Sequence, residues 1–146
     1  MTCTTPSQRF LEARERLQLS VEEAAQLCGI SAACVRDLES YPDELTSCYS
    51  AVDLVRFSKV LQISPSAFFG DEVTEPAVSP SELEDRIRDE CSARKITLEQ
   101  FEDVVGWKLG ESMTPPKRLL EEMTLDGLQW LCRELRIDWR RVIAAL

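Results

Sequence analysis

The chain has 146 residues, of which 44% are hydrophobic and 29% charged, an ordinary globular balance far from the apolar-poor composition of disordered chains. Its 26 acidic and 17 basic side chains give a formal charge of −9, the wrong sign for a protein that must neutralise phosphates, although a locally basic face can exist on an acidic protein. The complete absence of histidine excludes Cys-His and Ser-His catalytic couples and leaves zinc only cysteine and carboxylate ligands.

From Met1 to Phe10 there is no basic start followed by an apolar stretch, and no later run approaches the ~18 apolar residues of a membrane span. A soluble, cytoplasmic protein is expected. The six cysteines, Cys3, Cys28, Cys34, Cys48, Cys91 and Cys132, form no C-x-x-C pair and no regular framework, so reduced thiols in the core are expected, with no metal and no cofactor. Carboxylates are plentiful, but no pair is singled out as an acid–base couple, and an enzyme is not expected.

Taken in chain order, the helix starts carry capping chemistry, a hydroxyl accepting from an orphan backbone N–H while a residue three on reaches back. Ser20 with Glu23 opens one helix, and Ser50 with Asp53 opens another running to about Leu61, with Val52, Leu54, Val55, Phe57 and Leu61 at helical spacing. Ser64-Pro65 opens a short further helix. Gly70 to Pro80 is acidic, aperiodic and holds two prolines, and reads as a linker. Ser79, Pro80 and Glu82 start a helix just after it, and Thr97 with Gln100 forms a second capping box matching that of Ser20. No segment shows period-two alternation, so no sheet is expected.

A repeat underlies this order. Leu19 to Ile30 aligns without gaps on Ile96 to Trp107, an offset of 77 residues. Leu61-Gln62-Ile63-Ser64 then matches Leu135-Arg136-Ile137-Asp138 at an offset of 74, and Phe68-Phe69 matches Val142-Ile143, so the second copy is three residues shorter in its middle. A domain of ~60–70 residues folds alone only marginally, and two such domains fit this length. The expected organisation is a domain at 1–70, a linker at 71–80 and a second domain at 81–146.

The first copy carries a resemblance in detail. Arg9 to Arg14, Leu19 to Ala25, Gly29-Ile30-Ser31, Val35, Leu38 and Glu39 together resemble the helix-turn-helix domain of the Xre/Cro phage-repressor family. Ala24 and Ala25 are small where the second helix must approach the third, Gly29 suits a left-handed turn, and Ser31 can cap the next helix. The resemblance implies an all-α fold of two tandem lambda-repressor-like domains of four to five helices, in a bacterial or phage cytoplasm.

Fold does not carry function, so the groove-facing positions are read separately. The resemblance places Ala32, Ala33, Cys34, Arg36 and Asp37 on the recognition helix, and Glu22 where a phosphate-contacting glutamine is expected. Of these only Arg36 is a good base-reading donor, and Glu22 and Asp37 repel phosphate. Ala32 and Ala33 can equally be helix formers on an exposed surface. In the second copy the corresponding stretch is broken by Gly110, Pro115 and Pro116, so its reading helix is expected to be short or missing, with Leu109 and Met113 in the core. Lys117-Arg118 and Arg133, Arg136, Arg140 and Arg141 are the basic concentrations, read as a solvated face beside Glu134 and Asp138. Charge does not segregate: residues 1–72 hold 6 basic and 11 acidic side chains, residues 73–146 hold 11 and 15.

These readings favour a helix-turn-helix regulatory protein that meets another protein, with direct DNA binding weak or lost. The alternative is a sequence-specific DNA-binding repressor using the first copy, and a third reading, resting on charge alone, is an acidic inhibitor or immunity protein. Oligomeric state is left open, a homodimer among the options.

Overall fold

Capping serines and threonines set where this chain turns helical. The computed structural model describes residues 4–70 and 73–146, so Cys3 and the acidic pair Asp71-Glu72 of the expected linker lie outside the described residues. The first half contains α1 (Pro6–Arg16), α2 (Val21–Cys28), α3 (Ala32–Ser40), α4 (Glu44–Cys48) and α5 (Ala51–Leu61), followed by a 3-10 turn, Pro65–Phe69. The second contains α6 (Pro80–Arg94), α7 (Leu98–Val105), α8 (Leu109–Ser112), α9 (Lys117–Glu122), α10 (Leu125–Glu134) and α11 (Trp139–Ala144). Among the described residues there is no strand, and extended pairing is confined to one antiparallel bridge between Ser50 and Thr124.

The side chains of Ser20, Ser50 and Thr97 form full capping boxes, as their spacing predicts. Thr5, with Pro6 behind it and Gln8 reaching back, forms another that the sequence reading did not mark. Thr124 and Asp138 cap α10 and α11. Ser64 makes no such bond, and the short helix expected after it is the 3-10 turn.

The repeat extends to backbone conformation. Left-handed residues stand at Gln18 and Lys95 (φ 56° and 55°), Gly29 and Gly106 (70° and 71°), and Gln62 and Arg136 (54° and 57°). Each pair is separated by the sequence offset of 77 or 74. Outside glycine this conformation is uncommon, so its recurrence at matched points shows that the two halves turn their chains alike.

One apolar core runs through both halves. Phe10, Phe57 and Phe68 pack their rings together on one side, and Phe101, Leu128, Leu131 and Val142 are buried on the other. The halves meet reciprocally. α4 packs on α10 and α5 on α9, each pair the counterpart of the other, while the 3-10 turn packs on its own counterpart α11, with Phe69 edge-on to Trp139 at 4.6 Å. Ser50 and Thr124, joined by the bridge, are also counterparts, and Leu125 N donates to Tyr49 O at 2.8 Å beside them. Contacts of this kind are those of two units about an approximate two-fold axis.

The segment read as a linker is tied down. Val78 is fully buried and its N–H donates to Arg141 O, Arg141 in turn reaches Pro76 O and Glu75, and α6 begins at Pro80, the last residue of the expected linker.

Candidate functional site

The face singled out in the sequence is built by α2, the Gly29 turn and α3. Gly29 closes α2 in the left-handed conformation, which lets Ile30 N donate back to Ala25 O at 3.0 Å. Ser31 then caps α3, its hydroxyl accepting from Cys34 N at 3.1 Å. Ala24 and Ala25 are buried between the helices, and Val35 and Leu38 point into the core. Arg14 of α1 fixes the far end of α3: its guanidinium meets both oxygens of Glu39 and donates to Leu19 O at 2.8 Å, with only 13% and 11% of the two side chains exposed. The hydrogen bond to Glu39 and its charge hold the Arg14 pKa above its ordinary value against the cost of burial.

On this scaffold Glu22, Ala33, Arg36 and Asp37 are exposed, while Cys34 is half-buried. Ala32 is also half-buried against the core, so the reading of both alanines as freely exposed helix formers holds for Ala33 alone. The structure brings Glu22 and Arg36 together: Arg36 donates to the Glu22 carboxylate at 3.1 Å across the α2–α3 turn, both side chains more than half exposed. An exposed pair of this kind is worth less than about 1 kcal/mol, so it does not lock the arginine. Its effect is local: a carboxylate occupies the space beside the guanidinium and offsets its charge on this face. Cys34 faces Tyr49, whose hydroxyl pKa is raised, first by burial and then by the neighbouring thiol.

Two residues of this region were not picked out from the sequence. Leu27, near the end of α2, and Tyr41, which follows α3, are each 57% exposed. Leu27 falls in the aligned block, where its apolar character reads as core; only the placement of Ala24, Ala25 and Cys28 on the inner side of α2 turns it outward.

No family model, curated protein or solved structure matches the chain. What the site can do is therefore read from its own geometry.

In the second half the equivalent face is not built in the same way. After Gly106, α8 is one short turn, and Lys108 stands at its start where Ser31 stands in the first half, with no side-chain cap of its own. Glu102 of α7, at the position of Ala25, supplies the cap instead, accepting from Leu109 N at 3.1 Å and Gly110 N at 3.0 Å while Lys108 lies 3.6 Å from its other oxygen. Leu109 and Met113 are buried.

The basic concentrations are largely committed to nearby acceptors. Arg118 pairs with Glu122, Arg140 with Asp138 and Arg141 with Glu75, and Arg133 lies over the Trp130 ring. The hydrogen bonds from Arg118 and Ser112 hold the Glu122 carboxyl below its usual pKa, and Arg140 does the same for Asp138.

The cysteines divide. Cys28, Cys91 and Cys132 are buried, and desolvation pushes the Cys28 thiol up to about 11 and Cys132 up to about 12. Cys48 at the end of α4 is exposed and Cys34 on α3 half-buried, so the expectation that these thiols belong to the core fails for those two. Among the described residues no group of three or more Cys, Asp or Glu is placed to hold a metal, and no described helix is long and apolar enough to cross a membrane.

Proposed function

We propose that this chain is a helix-turn-helix regulatory protein whose α2–α3 face meets another protein, with direct DNA binding weak or lost. The observation that carries the reading is the Glu22–Arg36 pair. A helix reading base edges needs donors that phosphate can approach without meeting a like charge, and several cations for the phosphates. Here the single arginine faces a carboxylate, Asp37 is exposed next to it on α3, and no lysine lies on either helix. The exposed Leu27 and Tyr41 add apolar area of the kind a protein partner covers.

The reading rests on a likeness between residues 9–69 and repressor domains, carried by the residues from Arg9 to Glu39 and supported by the capped α2, left-handed glycine and capped α3. The test is a DNA shift assay over a range of salt. Affinity of the unmodified chain for random duplex DNA near physiological salt is expected to be weaker than ~10⁻⁴ M. Changing Glu22 to Gln and Asp37 to Lys together should partly restore salt-sensitive binding. Micromolar binding by the unmodified chain, with a steep salt slope that Arg36→Ala reduces, would instead make the protein a repressor reading DNA through its first half.

A further inference from the structure

On a chain of net charge −9, one trough is lined by cations and by no aspartate or glutamate side chain. It lies where the halves meet. A cavity of about 410 Å³ opens between α5 and the end of α11, floored by Val55, Ile63, Pro65, Ile143 and Leu146. A second of about 200 Å³ continues it toward α9 and shares Val55, Lys59 and Leu146 with the first. Arg56, Lys59 and Lys117 line its polar edge. Arg56 is committed to Asp53 at 3.0 Å and lies over the Phe57 ring. Lys59 and Lys117 are exposed, and among the described residues neither has an ion-pair partner.

We infer that this trough binds an amphipathic anion of the fatty-acid type, its alkyl chain on the apolar floor and its carboxylate beside Lys59 and Lys117. The apolar floor supplies a non-directional contribution that grows with chain length, and the two exposed ammonium groups at its polar edge select the sign of the headgroup. The floor draws Val55 and Ile63 from the first half and Ile143 and Leu146 from the second, so an occupant touches both. It bears on how the halves are held, and it stands whether or not the α2–α3 face meets a protein.

The test is isothermal titration of the full chain with dodecanoate and with dodecyltrimethylammonium, each below its micelle-forming concentration. Saturable one-to-one binding of dodecanoate is expected, with decanoate weaker by about fourfold for each methylene removed from the floor. Lys59→Glu with Lys117→Glu should weaken dodecanoate at least tenfold; both lysines are exposed, and circular dichroism checks that helicity is kept. Ala144→Trp, an exposed position on the rim, should block the trough without altering its charge and also abolish binding. The inference is overturned if dodecanoate does not saturate, if the ammonium analogue binds equally well, or if folded Lys59→Glu/Lys117→Glu binds as the unmodified chain does.

Discussion

After matching glycine turns with φ 70° and 71°, the first half continues into a helix of nine residues, α3, and the second into a turn of four, α8. The backbones arrive at this point alike and leave it differently. In the first half the next residues are a capping serine and Ala32, which is small enough to leave the face open. In the second they are a lysine and Leu109, which is fully buried. A face that in one half is held out to solvent is in the other turned into core, and the comparison shows that the two halves can share a backbone frame without sharing an exposed helix face.

The largest test of that contrast lies at Leu109. Replacing it by alanine, the residue at the matching position of the first half, removes a fully buried side chain and should cost about 2–5 kcal/mol in urea unfolding. A cost below about 1 kcal/mol would mean that α8 does not hold the second half together. Next comes the Arg14–Glu39 pair, which anchors α3 and is lacking at the matching position Cys91, a buried thiol. Arg14→Met leaves Glu39 without its partner in a site little exposed to water and should cost about 3 kcal/mol, much of it recovered in the double change with Glu39→Leu. If the double variant is no better than the single one, the arginine acts through packing and not through charge.

The glycine turns should respond alike. A Cβ built at Gly29 or Gly106 meets nothing within 4 Å, so only backbone strain opposes a side chain there. Gly29→Val and Gly106→Val are each expected to cost about 1–3 kcal/mol by thermal melting. A difference between them larger than about 1 kcal/mol would show that the two turns are not equivalent.

How much of this was legible in the sequence depends on the range of the interaction. Helix starts at Ser20, Ser50 and Thr97 were, because a capping box is a bond between residues three apart, and so was the 77-residue repeat. The candidate face was legible in its residues but not in its electrostatics: Glu22 and Arg36 are fourteen residues apart, and only the Gly29 turn brings them within 3.1 Å. Leu27 was missed because an apolar residue in a helical pattern reads as buried until the packing is known, and Tyr41 because it stands just past the end of α3, outside that pattern. The mutual packing of the halves, with Ser50 against Thr124, has no local signal at all.

The smallest expected effect separates two solutions to one problem, the orphan amides at the start of α3 and α8. Ser31 solves it locally, and Ser31→Ala should cost about 1 kcal/mol. Glu102 solves it from the preceding helix, one carboxylate oxygen accepting two amides, so Glu102→Ala should cost slightly more, about 1–2 kcal/mol, and should speed hydrogen exchange at Leu109 and Gly110. Glu102→Gln keeps an acceptor oxygen in place and should retain most of the stability. If Gln is as damaging as Ala, the contribution comes from the charge beside Lys108, 3.6 Å away, and not from the cap. The position of Glu102 explains why the second half took this route: where the first half has Ala25 to let two helices close together, a longer side chain can reach forward and begin a turn that the local sequence no longer begins itself.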